Sequence, residues 1–130
     1  MPRVLVIDDE AMICRIFEDV LTIGDRFAVG TGSSGNDLRA MLYAHDDVVA
    51  IICDLMLCGE NGLKIHATIE PILWERRIAF VLVHGGGQEI RKNLPDGYLV
   101  EHRIVEVLKP MPHIMDIIGI IEREVKRLRG

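Results

Sequence analysis

Apolar residues gather in five short blocks, at 3–8, 27–31, 48–53, 78–84 and 104–108. Each block has the length of a strand, and Val48-Val49-Ala50-Ile51-Ile52-Cys53 shows the unbroken apolar character of a strand buried on both faces. Between the blocks the apolar positions recur every three or four residues, the period of a helix with one buried face. A helix near 11–23 is expected to turn Ile13, Ile16, Phe17, Val20 and Leu21 inward, and one near 35–45 to bury Leu38, Met41 and Leu42 behind a Ser33 or Ser34 cap. A third near 62–74 uses Leu63, Ile65, Ile69 and Leu73, with Pro71 expected to kink or end it. Gly85-Gly86-Gly87 precedes a short polar helix near 88–94, which Leu94-Pro95-Asp96-Gly97 stops. The last helix, 112–128, buries Ile114, Ile117, Ile121, Val125 and Leu128. Five β units alternating with five α units predict an α/β fold, a parallel sheet covered by helices on both faces. Right-handed crossovers leave few topologies for it.

The 130 residues are read as one domain, 1–130, with no linker, repeat or output domain. Aromatics are only 5% of the chain against 49% apolar residues, so the core is aliphatic. A net charge of −5 without a basic block argues against nucleic acid as a partner. The apolar runs are too short for a membrane span. Met1-Pro2-Arg3 leads directly into a strand, leaving no room for a signal peptide. Cys14, Cys53 and Cys58 lack metal-ligand spacing and read as reduced thiols, which suits a cytoplasmic protein.

The chemistry lies where the apolar blocks end. The first delivers Asp8 and Asp9, the third Asp54, and the fifth Lys109, with Pro110 behind it. In a parallel sheet these ends share one edge, where open α/β folds bind ligands. Clustered carboxylates repel one another unless a cation sits among them. Magnesium suits such a set, with Asp9 and Asp54 as direct ligands, Asp8 through water, and the carbonyl of Met56 completing it. An aspartate carboxylate is a nucleophile toward phosphorus, and Lys109 adds a point charge for the phosphoryl oxygens. Asp54, the lone acid at the end of the central strand, is the best candidate nucleophile.

These residues make the chain resemble the response-regulator receiver domains of two-component signalling, here as a stand-alone domain. The resemblance covers essentially all 130 residues and rests on Val4-Leu5-Val6-Ile7-Asp8-Asp9-Glu10, on Asp54-Leu55-Met56-Leu57-Cys58-Gly59-Glu60-Asn61-Gly62-Leu63, and on Val107-Leu108-Lys109-Pro110. It implies a doubly wound, flavodoxin-like sheet of five parallel strands in the order 2-1-3-4-5, as in a chemotaxis receiver. It further implies Asp54 as phosphoacceptor, Asp8 and Asp9 as the Mg²⁺ pair, and Lys109 as the phosphate-contacting lysine. The implied phosphodonor is a histidine kinase or a histidine phosphotransfer domain. The chain would then be a signalling phosphoacceptor rather than an enzyme, and would act on a downstream protein.

Three features depart from that family. Receivers usually carry Thr or Ser where Phe80-Val81-Leu82-Val83 ends in His84, and an aromatic residue where Glu106 stands three before Lys109. A His84–Glu106 couple could replace the usual hydroxyl and aromatic; the competing reading is a strand-capping histidine and a solvated glutamate. The triple glycine should loosen the loop after strand four, so that signalling could proceed by ordering it. Neither Met56 nor Gly86 offers a polar side chain to orient water, which predicts slow self-dephosphorylation. Met115, Ile118 and Ile120 are more apolar surface than one stripe needs; either they widen the core-facing stripe or they mark a homodimer face with strand five.

Two other functions compete. A receiver-like interaction module insensitive to phosphate fits the altered switch positions but not the intact acids and lysine. A nucleotide binder is suggested by Gly30-Thr31-Gly32-Ser33-Ser34-Gly35, a literal G-x-G-x-x-G between a strand and a helix. It places Gly30, Gly32 and Gly35 after an outer strand and leaves the acid doublet and Lys109 unexplained.

Overall fold

The five apolar blocks form strands β1 (Arg3–Ile7), β2 (Ala28–Gly32), β3 (Val48–Asp54), β4 (Ala79–His84) and β5 (Ile104–Leu108). In the computed structural model, which describes residues 1–85, 93–109 and 114–130, they make one parallel sheet in the order β2-β1-β3-β4-β5. A short antiparallel hairpin of Met56–Leu57 and Glu60–Asn61 stands apart from the sheet. The helices are α1 (Ala11–Leu21), α2 (Gly35–Ala44), α3 (Gly62–Arg76), the single turn α4 (Tyr98–Glu101) and α5 (Asp116–Arg129). The expected α/β class and the 2-1-3-4-5 order are both observed. Among the described residues no helix is long and apolar enough to cross a membrane.

Side chains alternate across the sheet and divide the core in two. Val4, Val6, Ile52, Val81 and Val83 pack with Phe17 and Leu21 of α1 and with Ile117 and Ile121 of α5. Leu5, Ile7, Ile51, Phe80 and Leu82 pack on the other face with Leu38 and Leu42 of α2 and Ile65, Ile69 and Leu73 of α3. Both faces of the sheet are therefore dry, as a parallel sheet requires.

Several expectations need correction. Ile16 is not inward: it is exposed, and Cys14 takes the core position on α1. The helix also ends at Leu21, followed by a 3₁₀ turn at Ile23–Asp25. Pro71 neither ends α3 nor limits it to residue 74; the helix runs to Arg76, where Arg77 adopts left-handed geometry. Ala67, whose carbonyl loses its bond to residue 71, lies with Pro71 on the exposed side of the helix, where solvent can replace that bond. The last helix begins at Asp116 rather than 112. Its supposed surplus is largely absorbed, for Ile118 is buried and Ile120 packs on the core, leaving Met115 exposed. The short helix near 88–94 and the Gly86-Gly87 part of the loop fall at or beyond the limits of the described residues.

One cap was legible in advance in part, and another was not. Ser34, of the two serines considered, caps α2 by accepting from Asp37 N at 3.1 Å. The basic end of α5 works mainly through Arg129, which donates to the carbonyls of Arg76, Arg77 and Val48. It thereby supplies partners for the carbonyls left open at the end of α3.

Candidate functional site

Parallel strands put their C-terminal ends side by side, and the ladder fixes which residues meet. Asp54 is in register with Val83, and Ile7 with Cys53, so the residues following β1 and β3 emerge together. Asp8 continues from β1 with its N–H still bonded to the Gly32 carbonyl at 3.0 Å. Its Oδ1 accepts from the Glu10 amide at 2.9 Å, which turns the chain into α1. Asp54 Oδ1 accepts from the Met56 amide at 3.3 Å, folding the following segment back over the strand end.

Gly62 closes that loop. Its N–H donates to Leu55 O at 2.7 Å, and a Cβ there would lie 2.5 Å from the Asp54 carbonyl oxygen. Only glycine allows the start of α3 to pass so near the backbone of Asp54. Asn61 caps the same helix, accepting from Leu63 N at 2.8 Å.

The three acids and the lysine converge. Asp8, Asp9 and Asp54 each offer a carboxylate oxygen, and these oxygens all lie within 4.8 Å of one another. Asp8 is buried, Asp54 nearly so, and Asp9 exposed. Lys109 Nζ donates to Asp54 Oδ2 at 3.1 Å and to Asp8 Oδ2 at 3.4 Å. Burial pushes the Asp8 carboxyl above its ordinary value, and the Asp54 charge adds to this; the Glu10 amide and the Lys109 ammonium oppose it. For Lys109, burial pulls downward, but the hydrogen bond and charge of Asp54, with those of Asp8, hold the ammonium above its usual range. An all-oxygen donor set of this size fits a hard divalent cation, which makes Asp8, Asp9 and Asp54 the residues able to hold Mg²⁺.

His84 and Glu106 also meet. The His84 ring is 1% exposed, and its Nε2 lies 2.8 Å from Glu106 Oε2. His84 is thus a buried, paired side chain at the end of β4 rather than a bare strand cap. The three thiols are free; Cys14 and Cys53 are buried, and Cys14 Sγ donates to Asp8 O at 3.5 Å. Burial raises the Cys53 thiol to about 12, with the Asp54 charge second.

The glycine motif makes no phosphate cradle. Its loop follows outer strand β2, with β1 lying between it and the strand that carries Asp54. Two of its amides are already taken: Ser33 N donates to Asp37 Oδ2 at 2.8 Å and Gly35 N to Glu60 Oε1 at 3.0 Å. Carboxylates of the chain itself thus occupy the place an anion would need. The reach of Glu60 across to α2 was missed by sequence reading, because nothing local to Glu60 marks a partner 25 residues away.

Comparison with known proteins agrees with this architecture. No protein-family model matches the chain, and no curated protein sequence matches it. Solved structures do. A response regulator receiver domain protein from Clostridium thermocellum superposes with a TM-score of 0.79 at 24% identity, over 99% of this chain and 98% of that one. A sensor protein from Polaromonas sp. JS666 gives 0.81 at 20% identity, covering 98% of each chain. A CheY-like receiver domain protein from Methanospirillum hungatei JF-1 gives 0.79 at 14% identity, over 99% and 97%. The fold is that of the response-regulator receiver domains, over nearly the whole of the chain.

Proposed function

We propose that the chain is a phosphoacceptor in two-component signalling, phosphorylated on Asp54 by a histidine kinase or a histidine phosphotransfer domain. The observation that carries this reading is the meeting of Asp8, Asp9, Asp54 and Lys109 at one strand edge, with Lys109 bonded to two of the acids. A packing role needs no such cluster, whose like charges cost stability. Mg²⁺, held by Asp9, Asp54, the Met56 carbonyl and, through water, Asp8, would neutralise the phosphoryl oxygens when bound.

The chain's own groups do the rest. An Asp54 carboxylate oxygen forms the new P–O bond as the donor's P–N bond breaks. The Met56 amide holds the other Asp54 oxygen, so the nucleophile is fixed in one orientation. The Lys109 ammonium is already beside the attacking carboxylate and can follow the charge that arrives there. The acyl phosphate carries a charge of about −2 where the carboxylate carried −1, a net gain of about −1 that also moves the charge outward, enough to bias a local two-state element and alter the binding of a downstream protein.

Intact-mass measurement after incubation with Mg²⁺ and phosphoramidate tests the reading. One phosphate adduct is expected, absent in Asp54→Asn and absent in chelator. An unmodified wild-type protein under conditions where Mg²⁺ binds would leave the phosphate-insensitive interaction module in its place.

A further inference from the structure

Among the described residues, two buried side-chain atoms lack any hydrogen-bond partner, the Nδ1 atoms of His66 and His84. The His66 ring lies edge-on to Phe80, 4.8 Å between centroids, where burial favours the neutral form, so a bare nitrogen is tolerable. The His84 ring differs, because its other nitrogen is committed to a carboxylate. An ionised Glu106 can only accept, so Nε2 carries the proton between them. Nδ1 is then either a lone pair without a donor or an N–H without an acceptor.

Its position says what could complete it. The neighbouring Val83 is the ladder partner of Asp54, and the Val83 carbonyl accepts from Leu55 N at 2.9 Å. The His84 carbonyl accepts from Lys109 N at 2.7 Å. His84 is therefore bracketed by the backbone segments that carry Asp54 and Lys109. Among the described residues, the charged groups on the neighbouring strand ends are Asp54 at the end of β3, Glu106 on β5 and Lys109 just after β5; Asp96 and Tyr98 share a groove with Glu106 on the α4 side.

We propose that His84 Nδ1 is the donor to a phosphoryl oxygen on Asp54, and that the ring takes up a proton from water as that group arrives. Glu106 balances the resulting imidazolium. The two nitrogens then serve two acceptors, one on each side of the ring, and the buried orphan is satisfied. Phosphorylation and proton binding become linked, so each favours the other. The inference rests on Asp54 as the phosphoacceptor and adds a residue that reads its state.

The test uses wild-type protein labelled with ¹⁵N-histidine, with His84 assigned through its backbone. Long-range ¹H–¹⁵N spectra at neutral pH are recorded before and after loading with Mg²⁺ and beryllium fluoride, and a parallel sample with phosphoramidate is weighed. The expected result is a change of His84 Nδ1 from the unprotonated to the protonated signature on loading. In Glu106→Gln the mass adduct should persist while that change is lost. Loading with an unchanged Nδ1, or a ring doubly protonated beforehand, overturns the inference and leaves Asp54 as phosphoacceptor. Failure to load at all, with no mass adduct, removes both.

Discussion

Asp8 and Lys109 touch, and both contributions to stability fall as pH rises, in windows far apart. The Asp8 carboxyl is raised above the unfolded value of 3.8, so between the two values the folded protein holds more protons. Stability from this group falls as pH rises through that window, and ionised Asp8 is a cost at neutral pH. Lys109 is raised above 10.5; what it contributes is fully present below 10.5 and lost as pH climbs through the folded value. Asp8→Asn is expected to stabilise the metal-free protein at neutral pH by about 1 kcal/mol. Melting in chelator checks this, and a lower Tm would mean that the bond to Lys109 outweighs the burial. The thiols offer a second check. With Cys53 raised to about 12 and Cys14 also raised by burial, exposed Cys58 should take up iodoacetamide alone in the native state. Mass analysis showing rapid double modification would contradict that. Met56 bears an exposed apolar side chain next to the site, so self-dephosphorylation is expected to take minutes or longer, and Met56→Gln to shorten it. Loss of the phosphoryl group within seconds in the wild type would refute the expectation.

At the scale of elements, what was legible and what was not have physical reasons. Strand ends were legible because a fully buried strand leaves an apolar run that stops at a charged residue, as at Asp8, Asp54 and Lys109. The His84–Glu106 contact was one of two readings open at those positions, and the 2.8 Å approach of the two side chains decides between them. Pro71 misled because a proline's cost in a helix depends on whether the freed carbonyl meets water, and one sequence does not display that. Ile16 misled because the small, apolar Cys14 shifts the buried face of α1 by part of a turn. Tertiary caps such as Glu60 on Gly35, or Arg76 on the carbonyls of Leu42 and His45, have no local signature. The loop that returns past Asp54 makes a sharp prediction. Gly62→Ala should cost about 2 kcal/mol, since its Cβ would meet backbone rather than a movable side chain. Denaturant unfolding measures the cost, and slower loading by phosphoramidate should accompany it.

For the whole molecule, a cation that binds the folded cluster and not the unfolded chain raises stability by mass action. Free Mg²⁺ at 100 times its dissociation constant should add about 2.7 kcal/mol, and the gain should shrink in Asp9→Asn. A thermal shift indifferent to Mg²⁺ would mean that the acids do not bind it. The bond from Lys109 to Asp8 spans 101 positions of sequence and ties the last strand to the first. Synthesis proceeds from the amino terminus, so β1 and β3 are delivered well before β5. During that interval Asp8, Asp9 and Asp54 are on hand with no ammonium of their own to set against them. Until the final strand docks, the charge that Lys109 sets against Asp8 and Asp54 is therefore missing from that edge.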